Sequence, residues 1–132
     1  MFSNGFSSMI SNLKEIKGIE KWNTSNVTNM CAMFNHQVEL EKLDLSGWDT
    51  SNVTDMSYMF SETNLKTIYV SENFTTVNVA SSGSMFSRRP SAGVISTPTL
   101  IGGNGTIWNE NFIDKAYARI DTDVFPGYFT LK

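Results

Sequence analysis

The apolar positions of this chain recur at intervals of 26 residues. Trp22 begins the phrase "WNTSNVTNMCAMF", Trp48 begins "WDTSNVTDMSYMF", and Phe74 begins a weaker third copy. Nine of the thirteen positions are identical in the first two copies. This interval falls within the range of leucine-rich repeats, in which each unit forms one small supersecondary element. The repeated unit therefore organises the predicted fold.

The first half of each unit predicts a β-strand. In "LEKLDLSGW", Leu43 and Leu45 alternate with Asp44, as expected for a strand with one buried face. The segments "LKEIKGIEKW" and "LKTIYVSENF" hold the same place in the neighbouring units, and an extra residue beside Gly18 predicts a bulge in the former. We expect these strands to pair in parallel on one face.

The second half of each unit predicts a short helix. Val53, Met56 and the pair at 59–60 have the i, i+3, i+6, i+7 spacing of one helical face. A side chain from residues 50–52 is expected to cap this helix, and Asp55 suits the positive end of its dipole. One unit cannot bury its apolar face alone, so we expect successive units to stack and share a core.

The predicted core takes apolar residues from both halves of each unit. Burying a side chain of this size stabilises the fold by about 1.5–3 kcal/mol, so several per unit are expected to hold the stack together. The predicted core residues are Trp22, Val27, Met33, Phe34, Leu43, Leu45, Trp48, Val53, Met56, Met59, Phe60, Ile68, Val70, Phe74, Val79, Met85 and Phe86.

These patterns together predict an α/β solenoid. We expect a short right-handed coil of the leucine-rich-repeat type, with parallel strands on one face, short helices on the other and a single domain over 1–132. Its repeats would be 13–37, 38–62 and 63–86, after a partial repeat or N-terminal cap at 1–12. Residues 87–132 would form a final coil with a strand at "TLIGG", and a cap in which "YARI" and "GYFTL" pair as a β-hairpin.

The phrase "LDLSGWDTSNVTDMSYMF" is similar to the 26-residue repeats of BspA-like bacterial surface proteins, which include mycoplasma-type surface lipoproteins. The resemblance covers about residues 9–86, and residues 102–132 resemble the segment that closes such arrays. Residues 87–100 depart from the usual spacing, which leaves the conformation of the final coil open. The resemblance implies a cell-surface or secreted location and a role in adhesion or protein binding.

Composition and charge limit the kinds of partner that we expect the chain to bind. Charged residues make up only 17% of the chain and the net charge is -3, so we expect no nucleic-acid partner. No apolar stretch is long enough to span a bilayer, and "MFSNGFSSMI" lacks the basic start of a signal peptide. We therefore expect a mature or excised piece of a longer protein, monomeric and without direct membrane insertion.

Catalytic chemistry finds little support in the sequence. His36 is the only histidine and Cys31 the only cysteine, and they fall in different parts of their unit. This pair offers too few ligands for zinc and no plausible nucleophile–base arrangement. We expect no enzymatic activity, no metal and no cofactor.

Calcium binding is the alternative function that the sequence supports. "GGNGT", residues 102–106, resembles the calcium-binding nonapeptide G-G-x-G-x-D, although Thr106 stands where that motif requires an aspartate. Asp121 and Asp123 place two more carboxylates in one loop. The alternative function is therefore a calcium-dependent structural module, although a turn rich in Gly and Asn is the simpler explanation of the motif.

The outward side chains of the predicted strands form the candidate ligand face. We call them the strand ladder, and they are Glu15, Lys17, Lys42, Asp44, Thr67 and Tyr69. Their charges are mixed, which implies no strongly steered ligand, and tyrosine is the residue type most often found at binding hot spots. We expect a protein or host-surface ligand here; an ordinary solvated sheet face, or a spacer between other domains, is the competing interpretation.

Overall fold

The computed structural model describes residues 14–88 and 100–132 of the chain. Its three strands are β1 (Lys42–Leu45), β2 (Thr67–Val70) and β3 (Phe129–Leu131), which form one sheet in the order β1-β2-β3. Two single-turn 3-10 helices, Ile19–Lys21 and Lys115–Tyr117, complete the regular structure of these residues. The N-terminal cap predicted at 1–12 lies outside the described residues.

Neighbouring strands of the sheet are parallel throughout. Leu43 pairs with Ile68, and Ile68 pairs with Phe129, so one apolar row crosses all three strands. These side chains are buried, whereas the residues between them in each strand face outward. The alternation read in "KLDL" is confirmed, because a pleated strand turns successive side chains to opposite faces.

The prediction of an α/β solenoid with helices on one face is wrong. No α-helix occurs among residues 14–88 and 100–132, and the segment from Val53 to Phe60 consists of an isolated parallel bridge at Asp55 followed by turns. The architecture is a small parallel sheet joined to stacked rows of turns. The buried side chains of this segment have helical spacing along the sequence, but the backbone satisfies its hydrogen bonds differently.

Backbone amides in a row of turns alternate between two acceptors. The Met33 amide donates to the Met30 carbonyl within its own turn at 3.3 Å, whereas the Met30 amide donates to the Asp55 carbonyl of the next repeat at 2.8 Å. In an α-helix, both amides would instead donate to the carbonyls four residues earlier. Every second amide of the row is therefore committed to the neighbouring repeat.

Short polar side chains favour these turns over a helix. The Asp55 Oδ1 atom accepts the Ser57 amide at 2.9 Å, and the Asn29 Oδ1 atom accepts the Cys31 amide at 2.8 Å one repeat earlier. Such local bonds offer the backbone an alternative to helical hydrogen bonding. Asp55 therefore starts a turn, where the sequence predicted that it would complement a helix dipole.

The repeated T-S-N phrase joins adjacent repeats rather than capping a helix. The Thr50 hydroxyl donates to the Thr75 carbonyl at 2.8 Å and accepts the Thr75 amide at 2.7 Å. The Asn52 side-chain amide donates to the Ser25 carbonyl at 2.7 Å, and Asn78 repeats this bond to Ser51 at 2.6 Å. The threonine thus reaches the next repeat and the asparagine the previous one.

Several non-glycine residues of the turn rows adopt left-handed backbone conformations. This conformation costs an L-residue about 1–2 kcal/mol. The pattern follows the repeat, because equivalent residues share nearly the same φ. The residues are Ala32 (φ 57°), Tyr58 (φ 59°) and Ser84 (φ 55°) at one position, and His36 (φ 64°) and Glu62 (φ 56°) at another.

Aromatic rings stack along the repeat axis inside the core. Phe34 lies 5.9 Å from Phe60 between ring centroids, and Phe60 lies 5.4 Å from Phe86, in near-parallel stacks. Trp22 and Trp48 stack in the same way at 6.4 Å. All residues of the predicted core are buried except Trp22 and Val27, which are half-buried and pack against it.

The predicted C-terminal β-hairpin is wrong. Phe129 pairs in parallel with both Ile68 of β2 and Ile120, so "GYFTL" continues the main sheet. The described part of "TLIGG", residues 100–103, does not add a strand to the sheet, since Ile101 makes an isolated antiparallel bridge to Ile107. The tail still covers the third repeat, because the Ile113 carbonyl accepts the Phe86 amide at 2.9 Å.

The first predicted strand, with its bulge, is also wrong. Gly18 takes a left-handed conformation (φ 83°) and leads into the 3-10 helix Ile19–Lys21. The Ile19 carbonyl accepts the indole N–H of Trp48 at 2.8 Å, which draws this segment against the second repeat. The backbones approach closely there, because a Cβ atom on Gly47 would lie 1.8 Å from the Glu20 carbonyl oxygen.

Gly47→Ala should destabilise the protein strongly. The new methyl group would overlap the Glu20 carbonyl and force the two backbones apart, and we expect a loss of more than about 2 kcal/mol in the free energy of unfolding. Gly83→Ala is the matched control, since a Cβ atom there meets nothing within 4 Å. Its effect in the same urea titration should stay within about 0.5 kcal/mol. Equal stabilities of the two variants would contradict this packing.

Candidate functional site

The strand ladder lies largely along one shallow cleft on the outer face of the sheet. Lys42 pairs with Thr67 and Asp44 pairs with Tyr69, so these four side chains occupy two rows across β1 and β2. The cleft has a volume of about 330 Å³ and is lined by all of the strand ladder except Thr67. We call it the sheet cleft. Glu15 and Lys17 reach it from the segment before the first 3-10 helix.

Lys132, which directly follows β3, also lines the sheet cleft. Its Nζ atom donates to the Asp44 Oδ2 atom at 2.5 Å and lies 5.1 Å from the centroid of the Tyr69 ring. The contact spans 88 positions of sequence and forms because β3 follows β2 in the sheet. Sequence reasoning missed Lys132, since the predicted hairpin directed its segment elsewhere.

The charges of the sheet cleft nearly cancel. Partial burial alone would raise the pKa of Asp44, but hydrogen bonds from Lys132 and Ser46 outweigh it and lower the pKa below its usual range. The same contact with Asp44 raises the pKa of Lys132. The remaining charged groups are two glutamates and two lysines, namely Glu15, Glu20, Lys17 and Lys42. At neutral pH the cleft therefore presents fixed charges of both signs around one aromatic ring.

His36 and Cys31 are hydrogen-bonded to different residues of the second repeat. His36 is exposed in a turn, where its amide donates to the Ser61 carbonyl at 3.0 Å. Cys31 is half-buried, and its sulfur accepts the Ser57 hydroxyl at 3.4 Å. Within residues 14–88 and 100–132, no three His, Cys, Asp or Glu side chains converge as a metal site would require.

The aspartate of the proposed calcium loop is fully engaged by the protein. The Asp121 carboxylate accepts the amides of Asn104, Thr106 and Gly127 at 2.9, 2.9 and 3.1 Å, and the Thr106 hydroxyl at 2.6 Å. Burial alone would raise the pKa of Asp121, but these bonds together lower it. Asp123 accepts the Asn104 side-chain amide at 2.8 Å. Asp121 therefore organises the loops at 102–106 and 121–127.

Parallel bridges and backbone hydrogen bonds join equivalent segments of successive units, so the chain is a repeat protein. The chain belongs to the family described as "Mycoplasma protein of unknown function, DUF285", whose model matches residues 4–93. No curated protein and no solved structure matches the chain. In the described part of the chain, no helix has the length and apolar character needed to cross a membrane.

Asp121 should make the stability of the protein depend on pH in the acidic range. Its folded-state pKa is lowered, so its contribution is present above the unfolded value of about 3.9 and is lost as pH falls through the folded value. Asp121→Asn should cost about 1–3 kcal/mol near neutral pH, because buried amides lose a charged acceptor. Urea titrations should show this difference shrinking below about pH 4.

Asp123→Asn is the control for that experiment. Asp123 is exposed and accepts one side-chain hydrogen bond, so its replacement should leave the acid dependence nearly unchanged. A stability gap between the wild type and Asp121→Asn that stays constant from neutral to strongly acidic pH would contradict the role given to this carboxylate.

Proposed function

We propose that this chain is a non-enzymatic binding module of a bacterial surface or secreted protein, and that it binds protein ligands through the sheet cleft. The observation that carries the proposal is the cluster of Tyr69, Lys132 and Asp44 on the outer face of the sheet. It combines a partly exposed aromatic ring with a cation and an anion held in place by adjacent strands.

The chemistry of the sheet cleft favours a polypeptide over a single small ion. Balanced charges attract neither a polyanion nor a polycation strongly, but they pair with the mixed side chains of a protein surface. Tyrosine provides a large contact area with little loss of conformational freedom on binding. Side chains carried by strands are also held more rigidly than side chains carried by loops.

We also propose a cell-surface or secreted location for the protein and a closer relationship to BspA-like surface proteins. The repeated phrase supports a relationship to BspA-like surface proteins, and the family description names Mycoplasma, which fits a bacterial source. A role in adhesion follows as a hypothesis from that relationship. A spacer between other domains is the simplest competing function, and it predicts no ligand for the sheet cleft.

Binding to purified host matrix and surface proteins is the direct test. We expect at least one immobilised protein of such a panel to bind the chain saturably, as measured by biolayer interferometry. Tyr69→Ala should weaken that binding at least about tenfold, the range of a hot-spot residue. Phe125→Ala is the matched control, because Phe125 is an exposed aromatic residue that lies outside the lining of the sheet cleft.

Two outcomes would overturn this assignment. Saturable binding that survives Tyr69→Ala would place the ligand on another surface. No saturable binding across the panel would favour the spacer.

The calcium-dependent alternative makes its own prediction. The oxygens of Asp121 already accept four protein donors, and a bound calcium ion would have to displace some of them. We therefore expect the same melting temperature with excess calcium and with a chelator, as measured by differential scanning calorimetry. Mass action would raise the melting temperature if the ion bound the folded state, so a clear rise with calcium would reinstate the alternative.

A further inference from the structure

A second concave surface crosses the turn rows of all three repeats. It has a volume of about 420 Å³ and is lined by Asn35 and His36 from the first repeat, Tyr58, Ser61 and Glu62 from the second, and Ser84 and Ser87 from the third. We call it the turn-face groove. None of these residues belongs to the strand ladder or to the lining of the sheet cleft.

Tyr58 is the unusual residue of the turn-face groove. Its backbone is left-handed, a conformation that is rare for bulky side chains, and 49% of its surface is exposed. The equivalent positions hold Ala32 and Ser84, so the turn itself requires no ring there. The phenol makes no hydrogen bond and no ring contact with any described residue. A strained and exposed aromatic side chain without a packing role points to a ligand.

The polar groups around Tyr58 are mostly uncharged. The hydroxyl of Ser87 donates to that of Ser61 at 3.1 Å, and these two residues are equivalent to Asn35 of the first repeat. Glu62 is buried, with only 7% of its surface exposed, and the nearby Arg88 balances its charge. The groove therefore offers a ligand the His36 imidazole and the hydroxyls of Ser84 and Ser87, whereas Ser61 and Glu62 are buried.

We propose that the turn-face groove binds a neutral saccharide. A sugar ring has an apolar C–H face that packs on an aromatic ring, and hydroxyl groups that both donate and accept hydrogen bonds. An apolar platform with a few convergent polar groups is the general form of a small-molecule site. The Tyr58 ring supplies the platform, and His36, Ser84 and Ser87 supply the hydrogen-bonding groups.

Titration of the full chain with defined oligosaccharides tests the proposal. The probes are maltohexaose, cellohexaose and chitohexaose, with a heparin-derived hexasaccharide as the charged comparison. We expect at least one neutral probe to bind by calorimetry and to shift the amide NMR signals of Ser61 and Ser87. Tyr58→Asn should weaken this binding at least about tenfold, whereas Tyr69→Ala in the sheet cleft should leave it unchanged.

Tyr58→Asn also tests the strain argument without unfolding the protein. Asparagine tolerates the left-handed conformation better than tyrosine, so its melting temperature should equal or exceed that of the wild type. A fall of many degrees would show that the ring is structural and would overturn the proposal. Tyr58→Phe separates the two parts of the side chain, and it should keep most of the affinity if the ring is the platform.

The remaining outcomes each decide the question. Binding of no neutral probe at millimolar concentration, binding of the heparin fragment alone, or loss of binding only in Tyr69→Ala would overturn the proposal. If the biological source of the sugar is a glycoprotein, a glycoprotein that carries the bound sugar should bind the chain. Enzymatic removal of its glycans should then abolish this binding. Binding of the free oligosaccharide alone would identify a free glycan as the source.

Discussion

The hydrogen bonds between successive turn rows are the constraint on which the rest of the structure depends. Every second amide of a row leaves its own turn and binds a carbonyl of the next repeat, as the Phe34 amide does with Met59 at 2.9 Å. Buried backbone groups must be paired, and here half of that pairing is supplied by the neighbouring repeat. A single unit would therefore expose unpaired amides as well as apolar side chains, so the repeats stabilise one another through the backbone and the core alike.

The core and the surface both follow from this stacking. Equivalent side chains are brought one above another, which places Phe34, Phe60 and Phe86 in one aromatic column. The same stacking lines up outward residues from different repeats, so each surface feature spans several units. The sheet cleft arises on the strand side in this way, and the turn-face groove arises on the turn side.

Much of the core was predictable from the sequence, but the backbone that carries it was not. Leu43 and Leu45 alternate because a strand must do so, whereas the spacing of Val53, Met56 and Met59 is shared by a helix and by a row of turns. No glycine marks the left-handed position of Tyr58, so no sequence signal announces it. Lys132 meets Asp44 across 88 positions, and such a contact follows only from the order of the strands.

The hydrogen bonds of the turns run to both neighbouring repeats. Alternate amides of the turns, such as those of Met30 and Met56, donate to the repeat that follows, whereas the amides of Thr54 and Ala80 donate back to the preceding repeat. The Phe86 amide donates to the Ile113 carbonyl of the tail. Asp55 forms parallel bridges to both Asn29 and Ser81, so duplication of one whole unit would again place the donors of these turns opposite acceptors. An insertion of any other length would put donors out of register with acceptors. Whole units of 26 residues are therefore the steps by which such an array can grow without leaving amides of the turns unpaired.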